Sequence, residues 1–361
     1  MKFLKQPISL IIALSLLMFN CSAGAKAIDK KIVKPFKVIL LIGDGMGLAQ
    51  ISAASHYTNG ELCLNLFNVI GLVKTSSGND YITDSAAGAT AYSSGVKTYN
   101  GAIGVGMDSL PVKTILEYAL AQHMGTGLVT TCSITHATPA AFFSHQPSRS
   151  MDAAIANDLY SHPIDVVIGG GKPYFDIVKL QQLGYQVASG NAIQWNMDYP
   201  KYFYFYNDSI HPPKWSEGRG DFLVNATSRA IKTLDQNKNG FFLMVEGSQI
   251  DWGGHDNDFD YTVKETIDFD KAVRAAYEFA KKDGHTLVLV TADHETGGLA
   301  LNHGSLKNHT IEPAYTTGHH TGIMVPIYAY GPGAELFAGT IENTKVFYNI
   351  CQLLGFNLGA H

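Results

Sequence analysis

Lys37-Val38-Ile39-Leu40-Leu41-Ile42-Gly43-Asp44-Gly45-Met46-Gly47 is the stretch on which the fold turns. Its aliphatic run does not alternate with polar residues, the pattern of a strand buried on both faces of a parallel sheet. It then breaks into glycines around one carboxylate. The same phrase recurs down the chain. Gly127-Leu128-Val129-Thr130 precedes Thr135-His136-Ala137-Thr138-Pro139, Ile164 to Ile168 precedes three glycines, Phe241 to Val245 precedes Glu246, and Leu287 to Val290 precedes Asp293-His294. Helical patterns lie between: Pro111 to Gln122, with proline at a plausible first position, and Val263 to Lys282, with Val263, Ile267, Val273, Ala276 and Ala280 on one face. Strand and helix alternation predicts an α/β domain, doubly wound, with a mostly parallel central sheet and helices on both faces. Ligands of such sheets gather at the carboxyl ends of the strands, where this chain puts its Asp, Glu and His residues.

Outside these elements, the stretch from about Ser189 to Arg219 mixes aromatic and polar residues without helical period, and is expected to form a strand or two with surface loops. No internal repeat or low-complexity linker divides the chain. Lys2 and Lys5 ahead of the apolar run Ile8 to Phe19 resemble an export signal too short to span a bilayer, which predicts a periplasmic or secreted protein without a transmembrane span. Two processing routes are open: a signal peptide over 1–25, with A-x-A sites at Ala23-Gly24-Ala25 and Ala25-Lys26-Ala27, or a lipoprotein signal over 1–20 that leaves a lipid anchor on Cys21. The remainder, 26–361, is expected to be a single domain. Cys63, Cys132 and Cys351 are too few and too widely spaced for a disulfide framework.

The 361 residues are 46% hydrophobic and 16% charged, with a formal net charge of -5. A mildly acidic chain without a Lys/Arg run excludes nucleic acid as a specific partner.

Candidate chemistry starts at Ser85. Thr83, Asp84 and Ser85 are N-cap residue types ahead of an Ala-rich, helix-permissive run, so Ser85 falls among unpaired N–H groups at the positive end of a helix. By itself this is also how an ordinary capped helix begins. Asp251 and His255 share a face if their segment is helical, a spacing that can clamp zinc or form a surface contact. Asp293 and His294 follow a buried strand directly, and Asp44 sits in the first glycine turn. Gly43-x-Gly45-x-Gly47 is not a dinucleotide fingerprint, because Leu48 stands where the third glycine is needed. Gly169-Gly170-Gly171-Lys172 misses the phosphate-loop spacing. His319-His320-Thr321-Gly322 precedes the strand-like Val325 to Tyr330, and Arg149 could grip two phosphate oxygens at once.

Together these motifs resemble the alkaline phosphatase family. The resemblance rests on Gly43-Asp44-Gly45-Met46-Gly47, Asp84-Ser85-Ala86-Ala87 with Gly95 to Ala102, Gly240 to Gly247, Thr291-Ala292-Asp293-His294, and His320-Thr321-Gly322 with Tyr330-Gly331-Pro332, in order from Lys37 to Pro332. It implies hydrolysis of small phosphomonoesters through a phosphoserine intermediate on Ser85, with Arg149 holding the phosphate. It implies two Zn2+, one on Asp251, His255 and His320 and one on Asp44, Asp293 and His294. It further implies Mg2+ on Asp44, Thr138 and Glu246, and a homodimer.

Two positions depart from the best-known bacterial members, which carry Asp and Lys where this chain has His136 and Trp252. The combination is similar to short, cold-active marine bacterial members. An imidazole suits zinc better than magnesium, so the third site is open to Zn2+ as well. Losing a cation beside the phosphate predicts weaker retention of product. The short interval from His294 to His320 leaves no room for a large inserted crown domain. Two other readings compete: a phosphodiesterase or sulfatase of the same two-metal superfamily, against which Ser85 discriminates, and a phosphate- or zinc-binding protein without turnover.

Overall fold

The computed structural model of the protein describes residues 37–191 and 200–359. The expected leader over 1–25 and Cys21 lie outside the described residues, as do 192–199. Strands are β1 (Lys37–Gly43), β2 (Val69–Lys74), β3 (Gly125–Ser133), β4 (Val166–Gly170), β5 (Gln186–Gly190), β6 (Tyr202–Tyr206), β7 (Phe241–Gly247), β8 (Thr286–Thr291), β9 (Glu295–Thr296), β10 (Ala300–Ser305), β11 (Thr310–Ala314), β12 (His320–Thr321), β13 (Val325–Tyr330) and β14 (Gly339–Glu342). Helices are α1 (Leu48–Tyr57), α2 (Ser85–Ser94), α3 (Ile115–Ala121), α4 (Ala137–Ala140), α5 (Asp152–Leu159), α6 (Ile177–Gln182), α7 (Phe222–Leu234), α8 (Gln249–His255), α9 (Phe259–Asp283) and α10 (Asn343–Leu354).

Ten strands form one sheet in the order β14-β2-β13-β8-β1-β7-β3-β4-β6-β5. Every pairing in it is parallel except those of β13 with β2 and β8, so β13 alone runs against the rest. The apolar run that predicted β1 thus forms the middle of the sheet, with Val38 to Ile42 wholly buried between β7 and β8. Neighbouring side chains of β7 show both faces covered. Phe241 packs on Phe279 of α9, and Phe242 stacks on Phe142, which follows α4. Truncating either ring to alanine would cost about 3–5 kcal/mol.

α9 forms because its apolar positions recur at helical spacing and its ends are signalled: Asp258 accepts from the Tyr261 N–H at 3.0 Å, and Gly284 closes the helix in the left-handed conformation at φ 74°. It packs against α1, α7 and α8. One expectation needs correction. α3 starts at Ile115 instead of Pro111, because Thr114 and Glu117 form a reciprocal capping box there, while Pro111 sits in a bridge to Val105. The aromatic run Tyr202–Tyr206 forms a strand, as expected. It lies inside the sheet between β4 and β5 with all five residues buried. From His294 to His320 there are only the short pair β9/β12 and the β10–β11 hairpin, so no crown domain is inserted. Among the described residues no helix is long and apolar enough to cross a membrane.

Candidate active site

Register brings the polar residues to one edge. Ile42 of β1 lies opposite Glu246 of β7 and Thr291 of β8, so Asp44, Glu246 and Asp293 leave three adjacent strands at about the same level. The Asp44 N–H extends this line by donating to the Gly247 carbonyl at 3.1 Å. Gly45 is needed in the turn on two counts: its φ is 71°, and a Cβ there would sit 2.7 Å from Thr296 Oγ1 and 2.8 Å from the Asp251 backbone. α8 does put Asp251 and His255 on one face, with His255 Nε2 3.4 Å from Asp251 Oδ1.

The hydrogen bonds fix which ring nitrogens carry lone pairs. His255 Nδ1 lies 2.7 Å from the Gly318 carbonyl and His320 Nδ1 2.9 Å from that of Thr83. Carbonyls only accept, so in both neutral rings the proton is on Nδ1 and Nε2 is a bare acceptor. Those two Nε2 atoms face each other at 3.1 Å, and His320 Nε2 is 3.5 Å from Asp251 Oδ1. Three acceptors meet with no proton between them.

His294 repeats the arrangement. Thr296 Oγ1 donates to Asp251 Oδ1 at 2.5 Å and therefore accepts from His294 Nδ1 at 3.2 Å, leaving His294 Nε2 bare. That nitrogen stands 3.3 Å from Asp293 Oδ2, 3.5 Å from Asp44 Oδ1 and 3.3 Å from Ser85 Oγ. Both Asp44 oxygens, Asp293 Oδ2, Thr138 Oγ1 and Glu246 Oε1 are buried without any hydrogen-bond partner. Burial first, then the neighbouring carboxylates, pushes Asp44 well above the usual range and Asp293 up to about 7. Burial, with His320 and Arg149 nearby, drives the His294 imidazole well down. Above neutral pH, where protons no longer neutralise them, so many buried acceptors without a counter-charge call for cations. The donor sets, imidazole nitrogen with carboxylate oxygen, suit divalent metals.

Ser85 is the first residue of α2 and is 1% exposed. Asp84 accepts from the Ala87 N–H through Oδ1 at 3.0 Å, and with Oδ2 accepts from Arg149 Nη1 at 3.0 Å. Arg149 Nη2 reaches His136 Nε2 at 3.3 Å. A cleft of about 350 Å3, lined by Thr83, Asp84, Asn100, His255, His319 and His320, opens beside this group.

Sequence reasoning missed several neighbours. Asp84 was read as a cap type but not as the partner of Arg149, and Thr296 holds two of the site residues although its only signal is standing two places after His294. Cys132, His136 and Glu246 bring a sulfur, a nitrogen and an oxygen within 4.8 Å of one another. His211 and Trp252 meet edge to face at 5.0 Å, each also edge-on to His136 at 6.1 Å. Burial pushes the His136 ring down to about 3.

The family model described as "Alkaline phosphatase" matches residues 36–194, 221–315 and 300–356. The chain belongs to the alkaline phosphatase family. It is 38% identical to alkaline phosphatase 4 of Bacillus subtilis, over 92% of this chain and 91% of that protein, and 32% identical to the alkaline phosphatase of Escherichia coli, over 89% and 87%. Among solved structures, the alkaline phosphatase of the Antarctic bacterium TAB5 superposes with a TM-score of 0.85 at 42% identity, covering 90% of this chain and 99% of that one. A cold-active alkaline phosphatase from a psychrophilic Shewanella superposes at 0.80 with 29% identity, over 88% and 99%. The sequence-level resemblance to short, cold-active members of the alkaline phosphatase family therefore holds, and the chain is a metal-binding phosphomonoester hydrolase.

Proposed function

We propose that this alkaline phosphatase cleaves phosphomonoesters in two steps through a phosphoserine on Ser85. Ser85 Oγ forms a bond to phosphorus as the ester P–O bond breaks and the alcohol leaves. Water then attacks phosphorus, restoring Ser85 and releasing inorganic phosphate. Zn2+ held by Asp251, His255 and His320, Zn2+ held by Asp44, Asp293 and His294, and a third cation near Asp44, Thr138 and Glu246 would together supply Lewis-acid stabilisation of the entering and leaving oxygens.

The chain's own groups do the positioning. The Asp84 cap uses the N–H of Ala87, and the Asp84 carbonyl that of Gly88, so the first-turn N–H groups of Ser85 and Ala86 are left to face a phosphoryl oxygen. Arg149, held flat by Asp84 and His136, offers its remaining N–H groups to two more. Trp252 brings no charge to this side, which favours product release. Cys132 and His136 beside Glu246 make the third site softer than an all-oxygen one, which supports Zn2+ there over Mg2+. Variants of the TAB5 enzyme with one histidine replaced by aspartate or glutamate are described with magnesium bound in their M3 site. The same reading puts the enzyme outside the cytoplasm, on the strength of Lys2, Lys5 and the run from Ile8 to Phe19, and makes it a homodimer.

The observation that carries the reading is the convergence of three bare Nε2 atoms and three carboxylates beside Ser85 Oγ. The test is acid trapping of the enzyme during turnover of a labelled monoester. Wild type should carry label on Ser85, and Ser85→Ala should carry none and lose at least about 10³-fold in kcat/KM, some 4 kcal/mol. Ser85→Ala turning over at the wild-type rate would remove the serine from the mechanism.

A further inference from the structure

A second place repeats the lone-pair signature, away from the residues above. Glu117 is the third residue of α3, and His145 and His162 approach the same oxygen, Glu117 Oε1, at 3.3 and 3.2 Å through their Nε2 atoms. Each ring is oriented from behind by a carbonyl: His145 Nδ1 lies 2.6 Å from Gly104 O and His162 Nδ1 2.9 Å from Asp158 O. Those carbonyls take the Nδ1 protons, so each ring turns a bare Nε2 on a carboxylate oxygen once it is neutral; against burial, the Glu117 hydrogen bonds hold both rings above their ordinary value, which puts the neutral form on the alkaline side.

Two arrangements relieve this. Both imidazoles could be protonated, but charge-assisted N–H···O bonds shorten to about 2.7–2.9 Å, less than either distance here. A shared ion is the other. Zinc bonds of about 2.0–2.1 Å in a tetrahedron hold neighbouring donor atoms about 3.3 Å apart. The separations of 3.3 and 3.2 Å are close to that value, and all three donors lie within 4.8 Å of one another.

We propose that Glu117, His145 and His162 bind a further divalent zinc-type cation, through two imidazole nitrogens and one carboxylate oxygen, with the fourth position left to water. The side chains are 21, 15 and 16% exposed, shielded but within reach of solvent, as an exchangeable site requires. They come from three separate segments: the first turn of α3, the loop after α4, and the turn that follows α5. The loop after α4 is the one that carries Arg149. Asp158 already fastens that loop by accepting from Ser144 Oγ at 2.6 Å, the His145 N–H at 3.1 Å and Gln146 Nε2 at 2.8 Å. An ion at Glu117 would fasten its base to a second helix.

Glutamine serves at the third position of a capping box as glutamate does, so Glu117→Gln keeps the helix start while removing the anionic ligand. After equilibrium dialysis of the full-length holoenzyme against micromolar Zn2+ at pH 8, wild type should hold one more zinc per chain than Glu117→Gln or His162→Gln. Zinc should also raise the wild-type melting midpoint by roughly 5 °C more than that of Glu117→Gln. Equal zinc counts in the three proteins, or equal midpoint shifts, would overturn the site.

Discussion

Two groups of charged side chains are buried in this molecule, and they solve the same difficulty in opposite ways. On α9, Glu265 and Asp268 are met by Arg219, whose Nη2 bonds both, at 3.0 Å to Asp268, while Nη1 donates to the Pro213 carbonyl at 3.1 Å. The Trp215 N–H adds a bond to Glu265 at 2.8 Å. At the carboxyl edge of the sheet, Asp44, Glu246 and Asp293 are as deeply buried, and oxygens of all three have no partner; Asp268 Oδ1 also lacks one, but its other oxygen is met by Arg219, whereas no Lys or Arg among the described residues bonds these three. Arg149, the nearest guanidinium, is engaged by Asp84 and His136 instead. Where the chain encodes its own cation the cluster is structural; where it omits one, the omission marks the place for an ion and hence for chemistry.

The contrast can be broken in order of effect. Stripping metal with a chelator should reduce phosphatase activity by more than about 10³-fold, over 4 kcal/mol in the barrier, and re-added Zn2+ should restore it. Retained activity after verified metal loss would erase the distinction. Arg219→Met removes the internal cation and strands two buried carboxylates, so it should destabilise the fold by about 3–5 kcal/mol in urea melts, while kcat per metal-loaded site stays unchanged.

Asp293→Asn should act in the other direction on the bare protein. Burial, then Asp251, raises the Asp293 carboxyl to about 7 from its ordinary 3.8, so the native state binds that proton more tightly than the unfolded chain. Metal-free stability must then fall as pH rises between about 4 and 7. Asn removes the Asp293 share of that slope and should stabilise the metal-free form by about 2 kcal/mol at pH 8, at the cost of activity. A metal-free variant less stable than wild type would show that the carboxylate is satisfied after all. Smallest is His136→Asp, which replaces nitrogen by oxygen beside Glu246 and should tighten Mg2+ binding about tenfold, near 1.4 kcal/mol, as read by Mg2+ titration.

Much of the fold could be read in advance because parallel strands covered on both faces leave unbroken apolar runs, as in β1, β7 and β8. Two local signals compete at the start of α3: proline at 111 suits a first helical position, but the Thr114-x-x-Glu117 box three residues on satisfies backbone N–H groups reciprocally and sets the start. Tyr202–Tyr206 was legible as a strand, but not its place inside the sheet, because strand order is set by pairings far apart along the chain. Asp44, Glu246, Asp251, Asp293 and His294 were legible from their places after strands and on a helix. The pairing of Asp84 with Arg149, the bridging by Thr296 and the meeting of Cys132 with Glu246 were not. They join side chains whose separation along the chain follows no period, so only the folded backbone brings them into view.

Topology also dictates a schedule. β1, the first strand of the described chain, occupies the centre of the sheet, yet its residue Lys37 pairs with Phe241 on one side and Thr286 on the other. A growing chain therefore exposes its most apolar segment, with both hydrogen-bonding edges open, until more than half of the sequence has been made. Such long-range parallel pairing slows folding and invites aggregation. The carboxylates of the catalytic edge come from the ends of β1, β7 and β8, so the full set of metal ligands cannot exist before the segment after β8 has been made.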